Sequence, residues 1–186
     1  MSFARVRAFV VLGVLAVAAI VFVVVALVRD TQGGASADGG CPEGAPLATI
    51  TLPDDTDEVK VRVLNGTKTS GLADRVSDDF KNRGFQVQPP KESKTKFSRI
   101  AIIQYGPKAV GNAQLIKAYF LGKAKADYSA KRTTDVIDIV IGDQYRQLAT
   151  STEVNQSLVE LSEPKLPPGA CLAPPPEKKK DEEEAK

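Results

Sequence analysis

The residues of this chain that could do chemistry fall into four groups. Asp54, Asp55, Asp57 and Glu58 form an acidic stretch. Paired carboxylates hold metals or move protons. With no second acidic cluster nearby and no His in the 186 residues, this stretch reads instead as a solvated turn before a strand. The lack of His also excludes Ser-His, Cys-His and His-metal sites, so no catalytic, metal-ligating or cofactor-binding residue is assigned. The second group is the loop Asn65-Gly66-Thr67-Lys68-Thr69-Ser70-Gly71. It has the outline of a phosphate loop, but a P-loop needs Lys-Ser or Lys-Thr after its second Gly. Leu72-Ala73 stand there, which disfavours nucleotide binding. Two readings stay open for Asn65, Gly66, Thr67, Lys68, Ser70 and Gly71. Free N–H groups at a helix N-terminus receive an anion there, or the loop is a tight turn closed by its own side chains.

The third group is Lys91, Lys94 and Lys96. They belong to the segment Lys81 to Arg132, with about twelve Lys or Arg against Glu92 and Asp127 in a chain of net charge +2. Such an excess makes a footprint for an anionic partner; a solvated lysine-rich surface is the plain alternative. Tyr105, Tyr119, Tyr128 and Tyr145 interleave with basic residues, as in some nucleic-acid binders. The extracytoplasmic address argued below favours an anionic wall polymer or lipid headgroup over nucleic acid. The fourth group is the cysteines, Cys41 and Cys171. Two free thiols are one reading. A staple outside the membrane is the simpler one, closing a loop of about 130 residues.

The elements that must position these groups follow from periodicity. Val59, Val61 and Val63 alternate with Lys60 and Arg62 as a strand with one buried face. Asn65-Gly66 turns the chain, and Ser70 is placed to cap a helix. Leu72, Val76 and Phe80 form its apolar stripe, and Gly84 stops it. Phe85 and Val87 start a second strand, followed by a polar loop from Pro89 to Ser98. Ile100 to Ile103 make a third strand. Gly106-Pro107 opens a second helix with the stripe Ala109, Ala113, Ile116 and Phe120. Lys123 to Arg132 is irregular or weakly extended, and Asp135 to Ile141 is a strand. Weaker signals are a short strand in Leu47 to Leu52 and a helix after Ser151-Thr152 carrying Val154, Leu158 and Leu161.

The pattern predicts an α/β fold, a two-layer sandwich of order β-α-β-β-α-β with a mainly antiparallel sheet. Upstream, residues 8–28 are an unbroken apolar run of about 21, long enough for a transmembrane helix. A secretory signal peptide competes, with Ala35-Ser36-Ala37 as its cleavage site, but its apolar region would be shorter. Arg5 and Arg7 before the span put residues 1–7 in the cytoplasm and the rest outside, as a single-pass protein of the cell membrane. The spacing of Gly13, Ala16 and Ala19 is a weak signal for helix pairing in the membrane, and so for a homo-oligomer, and does not fix the oligomeric state. Residues 29–57 are expected to be an extracytoplasmic stalk, 58–146 the domain, 147–173 an extension with a short helix, and 174–186 a charged, disordered tail.

The run V-R-V-L-N-G-x4-G-L-A from Val61, R-G-F-x-V from Arg83, Ile103-Gln104-Tyr105-Gly106, the Ala113/Leu115 helix and D-V-I-D-I-V-I-G-D-Q-Y from Asp135 resemble the LytR C-terminal domain of bacterial envelope proteins. The resemblance covers roughly residues 58–146. In that family the domain often follows a LytR-CpsA-Psr catalytic domain that transfers glycopolymers to peptidoglycan. That domain has no counterpart in these residues. An anchor with a stand-alone C-terminal domain is similar to actinobacterial envelope-integrity proteins of the VirR type. The resemblance implies a noncatalytic scaffold that works with cell-wall glycopolymer ligases and with peptidoglycan or another anionic wall polymer. It carries over no catalytic residue.

Overall fold

The computed structural model describes Gly13, residues 15–21 and residues 41–174. The chain divides into two compact units, Met1–Gly40 and Cys41–Lys186. In the first, Gly13 and residues 15–21 are helical, with Leu15, Val17, Ile20 and Val21 exposed. Among the described residues no helix is long and apolar enough to cross a membrane. The remainder of the expected 8–28 span, the residues before it, residues 29–40 and the tail from 175 lie outside the described residues.

The second unit is built on a five-stranded sheet. Its strands are β2 (Lys60–Asn65), β3 (Gln86–Glu92), β4 (Ala101–Tyr105), β5 (Lys125–Tyr128) and β6 (Ile137–Ile141), in the order β3-β2-β6-β4-β5. A separate parallel pair joins β1 (Leu47–Ala48) to β7 (Cys171–Leu172). Helix α1 (Leu72–Lys81) connects β2 to β3, and α2 (Val110–Tyr119), entered through a 3-10 turn at Pro107–Ala109, connects β4 to β5. Helix α3 (Ser151–Leu161) follows β6 and packs on α2.

The mainly antiparallel sheet expected from the sequence is not what forms. β2 runs parallel to β3 and to β6, and β4 runs parallel to β5; β4 against β6 is the antiparallel pair. Each helix returns its chain to the neighbouring strand in the same direction, as a direct β-α-β crossover must. β6 then fills the gap between the two crossover units. The polar strand face reflects helices that pack on one side only, as expected of the two-layer sandwich, and parallel strands accommodate this equally well. Val61, Val63, Ile137, Ile139, Ala101 and Ile103 are buried against Val76 and Phe80 of α1 and Ala113 and Ile116 of α2. Phe80, Phe85 and Tyr119 join the two helices, with ring centroids 5.2 Å apart for Phe80–Phe85 and for Phe85–Tyr119.

Five local expectations also change. Ser70 does not cap α1. The N-cap is Gly71 in the left-handed conformation, with no side-chain cap hydrogen bond. Pro89 and Pro90 lie inside β3, which an edge strand tolerates because its outer N–H groups need no partner. Lys125–Tyr128, within a segment read as irregular or weakly extended, is an edge strand fixed by its register with Ile102–Tyr105. Helix α3 starts at Thr150, whose hydroxyl and backbone form a reciprocal capping box with Glu153. The Leu47–Leu52 signal shrinks to Leu47–Ala48, where Ala48 packs with Val110 and Ala170.

Candidate binding surface

The loop after β2 is closed by its own side chains. Asn65 is buried, and its Oδ1 accepts from the Thr67 amide at 3.0 Å and the Thr67 hydroxyl at 2.8 Å. The Thr67 hydroxyl in turn accepts from the Thr69 amide at 3.0 Å. The Gly66 amide donates to Ile141 O at 2.8 Å. A Cβ on Gly66 would lie 2.7 Å from that same oxygen, so only Gly lets the loop approach β6 so closely. The amides of Gly66, Thr67 and Thr69 are therefore already used. Lys68, Ser70 and Gly71 are exposed.

This loop and the lysine-bearing loop, 27 residues apart in the chain, are one assembly. Asn65 Nδ2 donates to Glu92 Oε1 at 3.1 Å and to Thr69 O at 2.9 Å. The Ser93 amide donates to Asn65 O at 3.0 Å, and the Phe97 amide to Gly66 O at 2.8 Å. Lys96 Nζ donates to the Thr67 carbonyl. All three lysines are exposed on the rim, but this bond makes Lys96 a structural strut as well. With Phe97 they border a groove of about 460 Å³ floored by Leu64, Ile102 and Val140.

That groove lies on the helix-free face of the sheet. Register places Arg62 beside Gln88 and Asp138, Leu64 beside Lys91 and Val140, and Gln104 beside Asp138 and Asp127. Asp138 is 5% exposed. Arg62 grips it with Nε to Oδ1 at 2.7 Å and Nη2 to Oδ2 at 2.8 Å, and Arg132 Nη2 reaches Oδ2 at 2.8 Å. Burial works to raise the Asp138 carboxyl, but the hydrogen bonds from Arg62 and Arg132 outweigh it and hold it below the usual carboxylate range. Two guanidinium groups share one carboxylate, so this trio carries one net positive charge. Lys60 and Asp135 pair at 2.9 Å nearby, and the hydrogen bond from Lys60 is the main cause of a lowered Asp135 carboxyl.

The sheet order thus brings together residues that the sequence leaves apart. Lys91, Lys94, Lys125 and Arg132 of the basic segment reach the helix-free face, joined by Arg62 from β2. Lys123 does not; it lines a separate groove with Tyr119, Leu121 and Ala149. Arg62 and Asp138 are site residues that sequence reasoning missed. Their signals are a charge at an alternating strand position and an Asp inside an apolar run. Asp54, Asp55, Asp57 and Glu58 are exposed, away from this face's ion pairs. Among the described residues no group of three or more His, Cys, Asp or Glu is placed to hold a metal.

Cys41 and Cys171 form a disulfide, with Cα atoms 6.0 Å apart. It ties the start of the unit to β7, next to the pair that β7 makes with β1.

Residues 58–145 match the profile of a family described as LytR cell envelope-related transcriptional attenuator. This stretch of the chain belongs to the LytR C-terminal domain family. The LytR C-terminal domain includes both crossover units and β6, and so all of the groove. A solved structure agrees in fold. It is the soluble domain of a conserved hypothetical secreted protein from Mycobacterium marinum, 23% identical, with a TM-score of 0.51, covering 62% of this chain and 82% of that one. At that identity the likeness shows the fold alone. No curated protein matches the chain. Membership of the family associates the LytR C-terminal domain described here with the cell envelope.

Proposed function

We propose that this chain is a noncatalytic scaffold of the cell envelope, anchored in the membrane by residues 8–28 with its domain outside. The helix-free sheet face binds anionic wall polymer, or the glycopolymer ligases that attach it. The observation that carries this reading is that Lys91 and Lys94 border a groove on the same helix-free face of the sheet that carries Arg62 and Arg132. A half-buried excess of positive charge beside an open groove raises the local concentration of an anionic partner and steers its approach. The disulfide supports an oxidising address.

The test is charge reversal. Lys91→Glu with Lys94→Glu should weaken binding to isolated wall and to the ligases. Wild-type binding should fall as salt rises above roughly 0.1 M, where screening shortens to about 10 Å. Binding that ignores both changes rules the reading out. The anchor is tested separately: protease added to spheroplasts should remove the domain, and full protection would reverse the orientation. The apolar floor of Leu64, Ile102 and Val140 favours a second reading, a receptor that takes polymer or a lipid headgroup with no protein partner. Binding by the purified chain alone separates the two.

A further inference from the structure

The two edges of the sheet differ in a way that bears on assembly. β3 carries Pro89 and Pro90 in succession, so one outward-facing position there has no N–H to offer. β5 has no such block, and Lys125, Ala126 and Asp127 are all exposed along it. Ser129 N donates to Tyr105 O at 3.0 Å, which turns the amides of the odd-numbered residues toward β4. By the two-residue period, Ala126 and Tyr128 turn their N–H and C=O groups outward.

We propose that the domain forms a two-fold dimer through the outer edge of β5, with Lys125 of one protomer against Asp127 of the partner subunit. In an antiparallel pair, the residues that exchange hydrogen bonds must both point their backbone groups outward. A two-fold axis through Ala126 meets that condition, because Ala126 then faces its own copy. The same register sets Lys125 opposite the partner's Asp127, and Asp127 opposite the partner's Lys125, at the closer, non-hydrogen-bonded positions of the ladder. Among the described residues neither side chain has an ion-pair partner within its own chain, and Asp127 accepts only from Gln104 at 3.0 Å. Lysine on an edge strand ordinarily repels foreign strands. Here the Lys-Ala-Asp order keeps that protection against other chains and is complementary to itself. A two-fold axis normal to the sheet keeps both helix-free faces on the same side of a doubled sheet. One extended polymer then meets two copies of the groove, and avidity adds to affinity.

The test uses the full chain in detergent micelles, with sedimentation as the readout. Lys125→Glu should weaken the dimer by about tenfold, since two attractive pairs become repulsive. Asp127→Lys should do the same, and the double variant Lys125→Glu with Asp127→Lys should restore it. A second measurement fixes the register. Lys125→Cys and Asp127→Cys chains should crosslink when mixed and oxidised, and neither alone should crosslink at that position. A monomer at every concentration, a dimer indifferent to both single charge variants, or a mixture that stays uncrosslinked each overturns the proposal.

Discussion

Arg62 and Asp138 are joined by two hydrogen bonds of 2.7 and 2.8 Å, from neighbouring parallel strands whose residues lie 76 apart in the chain. This bidentate pair lies on the face of the sheet that no helix covers. A buried carboxylate alone would be costly. Held by Arg62 and by Arg132, it instead sews β2, β6 and the segment before β6 together.

Replacing Asp138 with Ala should therefore cost about 2–3 kcal/mol, because it strands two partly buried guanidinium groups. Chemical denaturation measures this. A loss under about 0.5 kcal/mol, the usual surface value, would mean that water satisfies both arginines.

The same pair sets an acid dependence. The unfolded Asp138 carboxyl takes up its proton near pH 4, at about 3.9, and the folded one only at lower pH. Its contribution is fully present above the unfolded value and is lost as pH falls through the folded one. Asp135 is lowered too and acts with the same sign. Stability should be flat from neutral pH to about 5 and then fall. Asp138→Asn should flatten, but not abolish, that fall. An unchanged acid limb in unfolding curves would assign the dependence elsewhere.

Gly142 is another position where a side chain cannot enter. A Cβ there would lie 2.1 Å from Arg99 O and 2.6 Å from Phe97 O, both backbone atoms that cannot step aside. Gly142→Ala should destabilise by about 1–3 kcal/mol, the usual cost of overpacking. It should also loosen the 93–99 segment, seen as faster exchange of the Phe97 amide, which bonds Gly66 O at 2.8 Å. Protection equal to wild type would show that the loop is held by other contacts.

The lysines should separate in their effects. Lys96 holds the Thr67 carbonyl, so Lys96→Glu should lower the melting temperature. Lys91→Glu and Lys94→Glu, at exposed positions, should change stability by less than about 0.5 kcal/mol. Equal melting temperatures for all three variants would remove the distinction between strut and rim.

Reducing the Cys41–Cys171 disulfide should open β1 and β7 before the main sheet, because that two-stranded pair is separate from the five-stranded one. The chain-entropy figure of about 4–5 kcal/mol is then an upper bound. Hydrogen exchange after reduction should speed at Ala173, whose amide bonds Ala48 O at 2.9 Å, and leave β2 and β6 protected. Simultaneous loss in both sheets would make the unit one cooperative block.

By itself the sequence determined what depends on neighbours in the chain. The stripes Val76–Phe80 and Ala113–Ile116–Phe120 are buried as their period required, and Gly84 and Gly122 take the positive φ of helix stops. Cys41 and Cys171 meet as a staple between the unit's ends. Caps were less legible: Ser70 was expected to cap α1, and the backbone instead places Gly71 there in the left-handed conformation. Only the tertiary structure decided the strand directions, the insertion of β6 between β2 and β4, and the strand at Lys125–Tyr128. Alternation shows that a strand has one apolar face, but not which way its neighbour runs or what covers the other face. The binding surface shares that limit. Lys91, Lys94 and Lys96 were visible as a charge cluster. Setting Lys91 and Lys94 on the same sheet face as the Arg62–Asp138–Arg132 cluster needs strands that are distant in sequence to lie side by side, and only long-range packing puts them there.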